Sequence, residues 1–215
     1  DLAKRMTHFV DSGERTKPPE ALSLAEKIPL LLFGITVPRP ENVQTPRDYG
    51  LDFETMTIRT PSHQLEAWHI SPLSQSKGTV LLFHGYAAAK DSLLGEAEAF
   101  HEMGYATVLI DFQGSGGSTG EETSVGYFEA QDVAAVFDFV KSDPNRFEQP
   151  IILYGMSMGG AAILRAVATE EIKPNGIIVE AVFDEMVSTV ENRFDTMGIP
   201  SFPAAQALVF WEIGR

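Results

Sequence analysis

Residues 151–164 read IILYGMSMGGAAIL, and this stretch decides the fold. Its first four residues are apolar and mostly aliphatic, which is typical of a short strand covered on both faces. The next five residues fit the pattern G-x-S-x-G, in which Gly155 and Gly159 flank Ser157 on a turn too tight for larger side chains. The small and apolar residues that follow predict a helix packed closely on the sheet. We therefore predict a strand, turn and helix that present Ser157 as the nucleophile.

The pentapeptide 116–120, GGSTG, fits the same pattern around Ser118. Ser118 stands several residues beyond the nearest apolar run, inside a glycine-rich segment. The residues after it are Glu121 and Glu122 rather than an apolar helix. We interpret Ser118 as a loop residue and Ser157 as the nucleophile.

Short, continuously apolar runs flank the first stretch on both sides, with helical patterns between them. The predicted strands are Thr79–Phe83, Ala106–Ile110, 151–154 and 176–179. The predicted helices are 93–103, 127–141 and 159–169. Because strands and helices alternate, we expect a parallel sheet with right-handed crossovers and helices on both faces.

Upstream of this region the pattern changes to alternation of apolar and polar residues, over 53–59 and again over 65–70. Alternation is typical of strands with one buried face. The intervening segment 60–64 is short enough for a hairpin. We therefore predict an antiparallel pair at one edge of the sheet.

Composition excludes several classes of function. Sixteen basic residues against thirty acidic ones give a net charge of −14, which repels polyanions, so we expect no nucleic acid partner. With no cysteine, the chain has no disulfide, thiolate metal site or cysteine nucleophile. The glycines at 114 and 116 lack the final glycine of a dinucleotide-binding loop, and a P-loop is absent. The early apolar run 28–35 is shorter than the ~20 residues of a membrane span, so we expect no transmembrane segment.

Acyl transfer also needs donors for the oxyanion. The turn at Ser157 directs the backbone N–H of Met158 toward that position. The second donor is expected directly after Thr79–Phe83, where the chain reads His84-Gly85-Tyr86, and the amide of Tyr86 is the natural choice. We interpret His84 as a residue that orders this loop rather than as a base.

The segments 84–86, 111–118 and 155–159 together resemble the serine hydrolases of the α/β-hydrolase superfamily, in order and in spacing. The chain is most similar to the serine aminopeptidase-like and monoglyceride-lipase-like branch. The loop after the fourth strand of that branch usually reads D-x-R-G-x-G-x-S, and residues 111–118 of this chain read DFQGSGGS. Gln113 stands in place of the usual arginine, and Ser115 in place of a common histidine. The resemblance covers about residues 51–183.

The resemblance implies an α/β-hydrolase fold and hydrolysis of a small acyl substrate, namely an ester, thioester or amide, without a cofactor or metal. It also implies a structural role for Asp111 and solvated helix positions for Asp132 and Asp138. A looser likeness at residues 45–54 to exported or anchored members suggests a leader that has been removed, although the compartment stays open.

In this fold the chain order is Ser, then Asp or Glu, then His. No histidine follows Ser157, and the five in the chain all precede it: His8, His63, His69, His84 and His101. We assign His101 to a surface helix, within the predicted helix 93–103. The local candidate for the acid is Asp184, for which an N-cap role is the alternative. We expect the acid and base beyond Arg215, so this 215-residue chain alone is predicted to be inactive.

We predict an N-terminal extension over residues 1–50, whose aliphatic stripe at 20–33 packs on the core, with a flap that contacts lipid or substrate as the alternative. Residues 51–215 are expected to form an incomplete hydrolase core, with the last strands absent and a cap beginning after residue 183. The strand at 176–179 would then leave an apolar edge open to self-association. The alternative to a hydrolase is a catalytically incomplete fold that serves as a binding or scaffold protein.

Overall fold

The computed structural model describes residues 8–11, 37–182 and 191. Its chain divides into two compact units, one formed by Asp1–Pro38 with Phe183–Arg215 and the other by Arg39–Val182. In the first unit, Val10 and Pro38 form an isolated parallel bridge. The second unit contains every helix and strand described below.

The described strands and helices alternate along the second unit. They are β1 (Glu54–Arg59), β2 (Gln64–Ile70), β3 (Thr79–Phe83), α1 (Leu94–Glu102), β4 (Ala106–Ile110), α2 (Glu129–Ser142), β5 (Ile151–Met156), α3 (Met158–Thr169) and β6 (Gly176–Glu180). Two short 3-10 helices, Pro46–Tyr49 and Lys90–Leu93, precede β1 and α1.

One sheet contains all of these strands, in the order β1-β2-β4-β3-β5-β6. β1 pairs with β2 and β2 with β4 in antiparallel register, whereas β3, β4, β5 and β6 pair in parallel. The predicted hairpin and the predicted parallel sheet are both confirmed. The exchange of β3 and β4 in the order places β3 in the middle of the sheet, where every residue of the strand is buried.

The core lies on both faces of this sheet. Leu81 and Phe83 face a cluster that includes the apolar residues of α2 and α3. Val80 and Leu82 face a second cluster that includes Leu94 of α1. Successive residues of β3 therefore contact opposite layers, and this explains why the sequence of the strand is apolar without alternation.

β6 differs from the central strands. Ile177, Ile178 and Val179 are 39%, 42% and 40% exposed, so the prediction of a strand covered on both faces is wrong here. β6 lies at the edge of the sheet and pairs with β5 on one side only, within the part of the chain that the structure describes. Apolar composition alone did not distinguish this edge strand from a central one.

The stripe at 20–33 and the candidate acid Asp184 lie outside the described residues. The division at residues 50 and 51, and the packing of the extension on the core, remain predictions. Across residues 37–182 the structure contains no helix with the length and hydropathy that a membrane span requires.

Candidate active site

Ser157 lies between the last residue of β5 and the first residue of α3, as predicted. Its backbone has φ 50° and ψ −113°, a conformation that a residue with a Cβ rarely adopts. Its N–H donates to the carbonyl of Glu180 at 2.8 Å, and its carbonyl accepts from the N–H of Ala161 at 3.1 Å. Hydrogen bonds to the end of β6 and to the first turn of α3 therefore hold the strained residue in place.

The flanking glycines allow this turn to pack tightly. A Cβ on Gly159 would lie 2.2 Å from the carbonyl oxygen of Phe83 at the end of β3. A Cβ on Gly155 would lie 2.6 Å from the backbone of Gly159 and from that of Gly160. Both distances are far below van der Waals contact, so the two glycines of the pentapeptide are required by packing.

The turn leaves the side chain of Ser157 half-buried. Within residues 37–182, its Oγ makes no hydrogen bond. The loop after β3 runs directly beside it, because a Cβ on Gly85 would stand 3.6 Å from the Cβ of Ser157. The nucleophile candidate and the loop proposed to stabilise the oxyanion are therefore adjacent.

Two backbone amides are positioned at this junction. Met158 is the first residue of α3, so its N–H is among the four at a helix start that lack an intrahelical acceptor. Tyr86 lies one residue beyond Gly85 and packs partly against the core. The next residue, Ala87, has a positive φ of 53°, which sharpens the bend of the loop.

His84 orders this loop. The side chain is fully buried, its Nδ1 lies 2.8 Å from the carbonyl of Gly85, and its Nε2 accepts the N–H of Phe112 at 3.1 Å. These contacts fix the tautomer with the proton on Nδ1. Burial lowers the pKa of the imidazole and so keeps it neutral. Both ring nitrogens are engaged, so His84 has the loop-ordering role that we expected. Its Nε2 lone pair is already used by Phe112, so it is not available to accept the proton of Ser157.

Ser118 is a structural residue, as we interpreted it from sequence. It is 2% exposed, and its Oγ donates to the carbonyl of Asp111 at 2.6 Å and accepts the N–H of Glu66 at 2.8 Å. The hydroxyl thus joins the loop after β4 to strand β2. Of the two identical sequence patterns, only the one at Ser157 lies between a strand and a helix.

Asp111 has the structural role that the resemblance implied, and its partner is Lys90, which sequence reasoning missed. Both side chains are fully buried, and the lysine ammonium contacts the Asp111 carboxylate. Burial by itself raises the pKa of Asp111, but attraction and hydrogen bonds from Lys90 outweigh it and leave the pKa below its ordinary value. Lysine is rarely buried, and no local pattern indicated this one.

The prediction for Asp132 was wrong, whereas Asp138 is exposed as expected. Asp132 is 2% exposed, and its Oδ1 lies 2.7 Å from Nε2 of His63, whose Nδ1 lies 2.9 Å from Oγ of Ser62. Burial raises the pKa of Asp132. Asp132 and Val136 are four residues apart and therefore lie on the same face of α2. This spacing from an apolar residue was the signal that could have placed Asp132 on the buried side of the helix.

Glu129 extends the same face to the first residue of α2 and is also buried. Its carboxylate accepts the hydroxyl of Thr123 at 2.6 Å and the backbone N–H groups of Ser124 and Gly126, each at 2.8 Å. Gly126 packs against α3, since a Cβ there would lie 3.4 Å from the carbonyl of Met158. Glu129 therefore fixes a loop that supports the start of α3.

The remaining histidines of the second unit do not complete the site. His101 is buried in the face of α1 that meets the sheet, so its assignment to a surface helix was wrong. His69 is also buried, on β2, and burial lowers its pKa. One ring nitrogen of each lacks a partner, Nε2 in His69 and Nδ1 in His101. Within residues 39–182, no histidine is hydrogen-bonded to Ser157.

A polar cavity of about 480 Å³ opens beside His63, Gln113 and Glu121. Ser157 does not line it. Among the described residues, no group of three or more acidic or histidine side chains is arranged to hold a metal ion.

Comparison with known proteins identifies the family. The model of the family described as Hydrolase_4, serine aminopeptidase S33, matches residues 74–194. Protein bem46 of Schizosaccharomyces pombe is 27% identical over 157 residues, which are 70% of this chain and 52% of that protein. Lysophosphatidylserine lipase ABHD12 of Xenopus tropicalis is 29% identical over 121 residues, which are 54% of this chain and 30% of that protein. The chain thus spans about half or less of the length of these relatives.

Among solved structures, one crystal form of the Pyrococcus furiosus esterase Pf2001 aligns with a TM-score of 0.67 at 23% identity, covering 81% of this chain and 65% of the esterase. Another form aligns at 27% identity with a TM-score of 0.57, covering 62% and 53%. Since the family model matches more than half of its residues, the chain belongs to the serine aminopeptidase S33 family of the α/β-hydrolase superfamily.

Proposed function

We propose that the protein is a serine-dependent hydrolase that cleaves carboxylic ester, thioester or amide bonds through an acyl-enzyme on Ser157. The observation that carries the proposal is the strained backbone of Ser157, with φ 50°, on the turn between β5 and α3. Strain of this kind costs on the order of 1–3 kcal/mol and is commonly retained where it presents a reactive group. The family to which the chain belongs is a family of hydrolases, and this supports the same class of reaction.

In the proposed reaction, Oγ of Ser157 attacks the carbonyl carbon of the substrate and its proton passes to a base. The negative charge that develops on the carbonyl oxygen is stabilised by the N–H groups of Met158 and Tyr86. Collapse of the tetrahedral intermediate expels the alcohol, thiol or amine, which takes up a proton. Water then attacks the acyl-enzyme and releases the acid and a free serine.

Esters are the favoured substrate class within this proposal. The relatives named above include an esterase and a lysophosphatidylserine lipase. The base and the acid would be supplied by residues other than His63, His69, His84 and His101. Asp184 remains the local candidate for the acid, with an N-cap as its alternative role.

The alternative is a catalytically incomplete fold that serves as a binding or scaffold protein. One observation favours it: no histidine of residues 39–182 reaches Ser157. An experiment must therefore separate a reactive serine that lacks its base from a serine without a catalytic role.

Chemical rescue makes this separation. We would incubate the 215-residue chain with a fluorophosphonate, with and without imidazole as a substitute base, and map the adduct by mass spectrometry. We expect slow labelling without imidazole, because losing a triad member costs up to ~10⁶-fold. Imidazole should accelerate labelling at Ser157, and Ser157→Ala should abolish it.

Ser118→Ala is the matched control, because it removes the serine of the other pentapeptide and should leave the labelling of Ser157 intact. Folded protein that stays unlabelled at Ser157 with imidazole would support the scaffold alternative. Rapid labelling of Ser157 without imidazole would mean that the chain already holds a base.

A further inference from the structure

Lys90 is a buried cation beside the proposed active site. Its side chain is fully buried, its ammonium lies 2.8 Å from Oε1 of Glu66 and contacts Oδ2 of Asp111, and it stands 4.1 Å from the centre of the Trp68 ring. Two carboxylates and an aromatic face therefore surround one positive charge. The location matters because Lys90 directly follows the loop that contains Tyr86.

Asp111 joins three segments of the chain through backbone as well as side-chain contacts. Its Oδ1 accepts the backbone N–H of Lys90 at 2.7 Å. Its Oδ2 accepts the side-chain amide of Asn42 at 2.9 Å and the backbone N–H of Gly117 at 3.0 Å. Asn42 in turn accepts the N–H of Asp91 at 3.2 Å. The residues at 90 and 91 are thereby anchored from two directions.

The loop over residues 84–90 is thus fixed at both ends. His84 holds the beginning through Phe112, and Lys90 holds the end through Asp111. Between these anchors the backbone passes Gly85, adjacent to Ser157, and bends at Ala87 with its positive φ. A bend that is unfavourable for alanine persists only where its surroundings impose it.

We infer that Lys90 is a positioning residue: its buried ammonium, held by Asp111, sets the position of the Tyr86 amide relative to Ser157. The inference rests on the proposed function for its catalytic consequence, but the structural part stands separately. We assign Lys90 no direct contact with the substrate. It acts through the loop whose end it anchors.

The variant Lys90→Met tests the anchor, because methionine is of similar length and carries no charge. It leaves the carboxylate of Asp111 buried without its counter-ion, which is costly. It also leaves the aliphatic packing of the stem nearly intact. The expected structural effect is therefore concentrated on the segment 84–91.

Selective ¹⁵N-tyrosine labelling gives a readout that does not depend on activity, because the chain has five tyrosines and hence five amide signals. Tyr86→Phe assigns the signal of interest. We expect Lys90→Met to shift or broaden the Tyr86 signal while the Tyr105 signal stays in place, because Tyr105 precedes β4 at the amino edge of the sheet, whereas the loop that contains Tyr86 follows the carboxyl edge of β3. Ile70→Ala, a core truncation at the end of β2, is the matched control and should leave Tyr86 unchanged, because Ile70 lies in the other core cluster and pairs with Thr107 near the amino edge of the sheet.

A second variant covers the case in which Lys90→Met does not fold. Asn42→Ala removes a neutral partner shared by Asp111 and Asp91 and should shift the same Tyr86 signal by a smaller amount. A Tyr86 signal that stays in place in whichever folded variant is available would overturn the inference.

Ester turnover by a Ser157-active form of the protein, or the imidazole-assisted labelling rate of the 215-residue chain, supplies the catalytic readout. We expect Lys90→Met to lower the rate of the chemical step by ~100-fold, the scale for loss of an oxyanion donor, with KM changed less than about 3-fold in the turnover assay. A shifted Tyr86 signal with an unchanged rate would overturn the catalytic part. If wild-type Ser157 never reacts, the proposed function fails, and the tyrosine spectra alone decide whether Lys90 positions the loop.

Discussion

At the scale of single residues, the two G-x-S-x-G pentapeptides show how the same pattern acquires different roles. Ser157 has a strained backbone and an Oγ that makes no hydrogen bond within residues 37–182. Ser118 is buried and engages two backbone groups through its hydroxyl. The flanking glycines are common to both, so the neighbouring strand and helix decide which serine is presented.

Ser118→Ala should destabilise the protein by about 1–3 kcal/mol, the cost of leaving buried hydrogen-bonding groups without a partner. Urea unfolding followed by circular dichroism measures this. Ser142→Ala is the control, because the Ser142 hydroxyl is exposed at the end of α2, and such changes usually stay within about 0.5 kcal/mol. Equal effects of the two substitutions would contradict the structural role of Ser118.

Sequence reasoning was weakest for charged residues. Asp132 and His101 follow the buried spacing of their helices, so periodicity could have placed them inside. Lys90 offered no such signal. Its partners Glu66 and Asp111 stand 24 and 21 residues away, and only the folded sheet brings them together.

At the scale of elements, the sequence predicted the central strands best. The bounds of β3 and β4 agree with the apolar runs, because strands covered on both faces need apolar residues throughout. The start of α3 was predicted at Gly159 and lies at Met158. β6 shows the limit of this reasoning, since its apolar run resembles that of a central strand although its side chains are exposed.

The exposed edge of β6 predicts concentration-dependent self-association of the 215-residue chain. Unpaired edges with apolar side chains are common sites of strand addition. Sedimentation velocity across a concentration series should show dimers or larger species, and Ile178→Lys should shift them to monomer. Leu164→Lys is the control, because Leu164 is similarly exposed at 46% but lies on a helix. A wild-type chain that stays monomeric throughout would show that this edge does not associate.

At the scale of the whole molecule, the chain carries a net charge of −14, yet several of its titratable groups are buried within one sheet unit. Folding lowers the pKa of His69, of His84 and, with Lys90 as the deciding partner, of Asp111. It raises the pKa of Asp132 through burial. These directions make the stability of the protein depend on pH.

A histidine with a lowered pKa binds its proton more readily in the unfolded chain. Its contribution to stability is therefore complete above the unfolded pKa of 6.5 and is lost as the pH falls toward the folded value. We expect the free energy of unfolding to fall below about pH 6.5, with a slope of up to ~1.4 kcal/mol per pH unit for each histidine. Asp111 adds to the loss below about pH 4. Asp132, whose pKa is raised by folding from 3.8, instead adds stability as the pH falls toward 3.8, so it opposes the loss above that pH.

Urea titrations at intervals from pH 8 to pH 4.5 measure this slope. His69→Leu should reduce it and should cost little at pH 8, because Nε2 of His69 has no partner in the described structure. His63→Gln is the comparison variant and should leave the slope of the two buried histidines in place. Stability that is flat from pH 8 to pH 5 would contradict the burial argument.

The strained turn at Ser157 sets a trade between stability and reactivity at one position. A backbone with φ 50° and ψ −113° is ordinary for glycine, whereas any residue with a Cβ is strained there. Ser157→Gly should therefore raise the melting temperature relative to Ser157→Ala, which keeps the Cβ, by the few degrees that correspond to about 1 kcal/mol or more. Selection for thermal stability alone would thus favour replacing the nucleophile by glycine. In a library of variants at position 157, sorting for folding should enrich glycine, whereas sorting for acyl transfer should enrich serine.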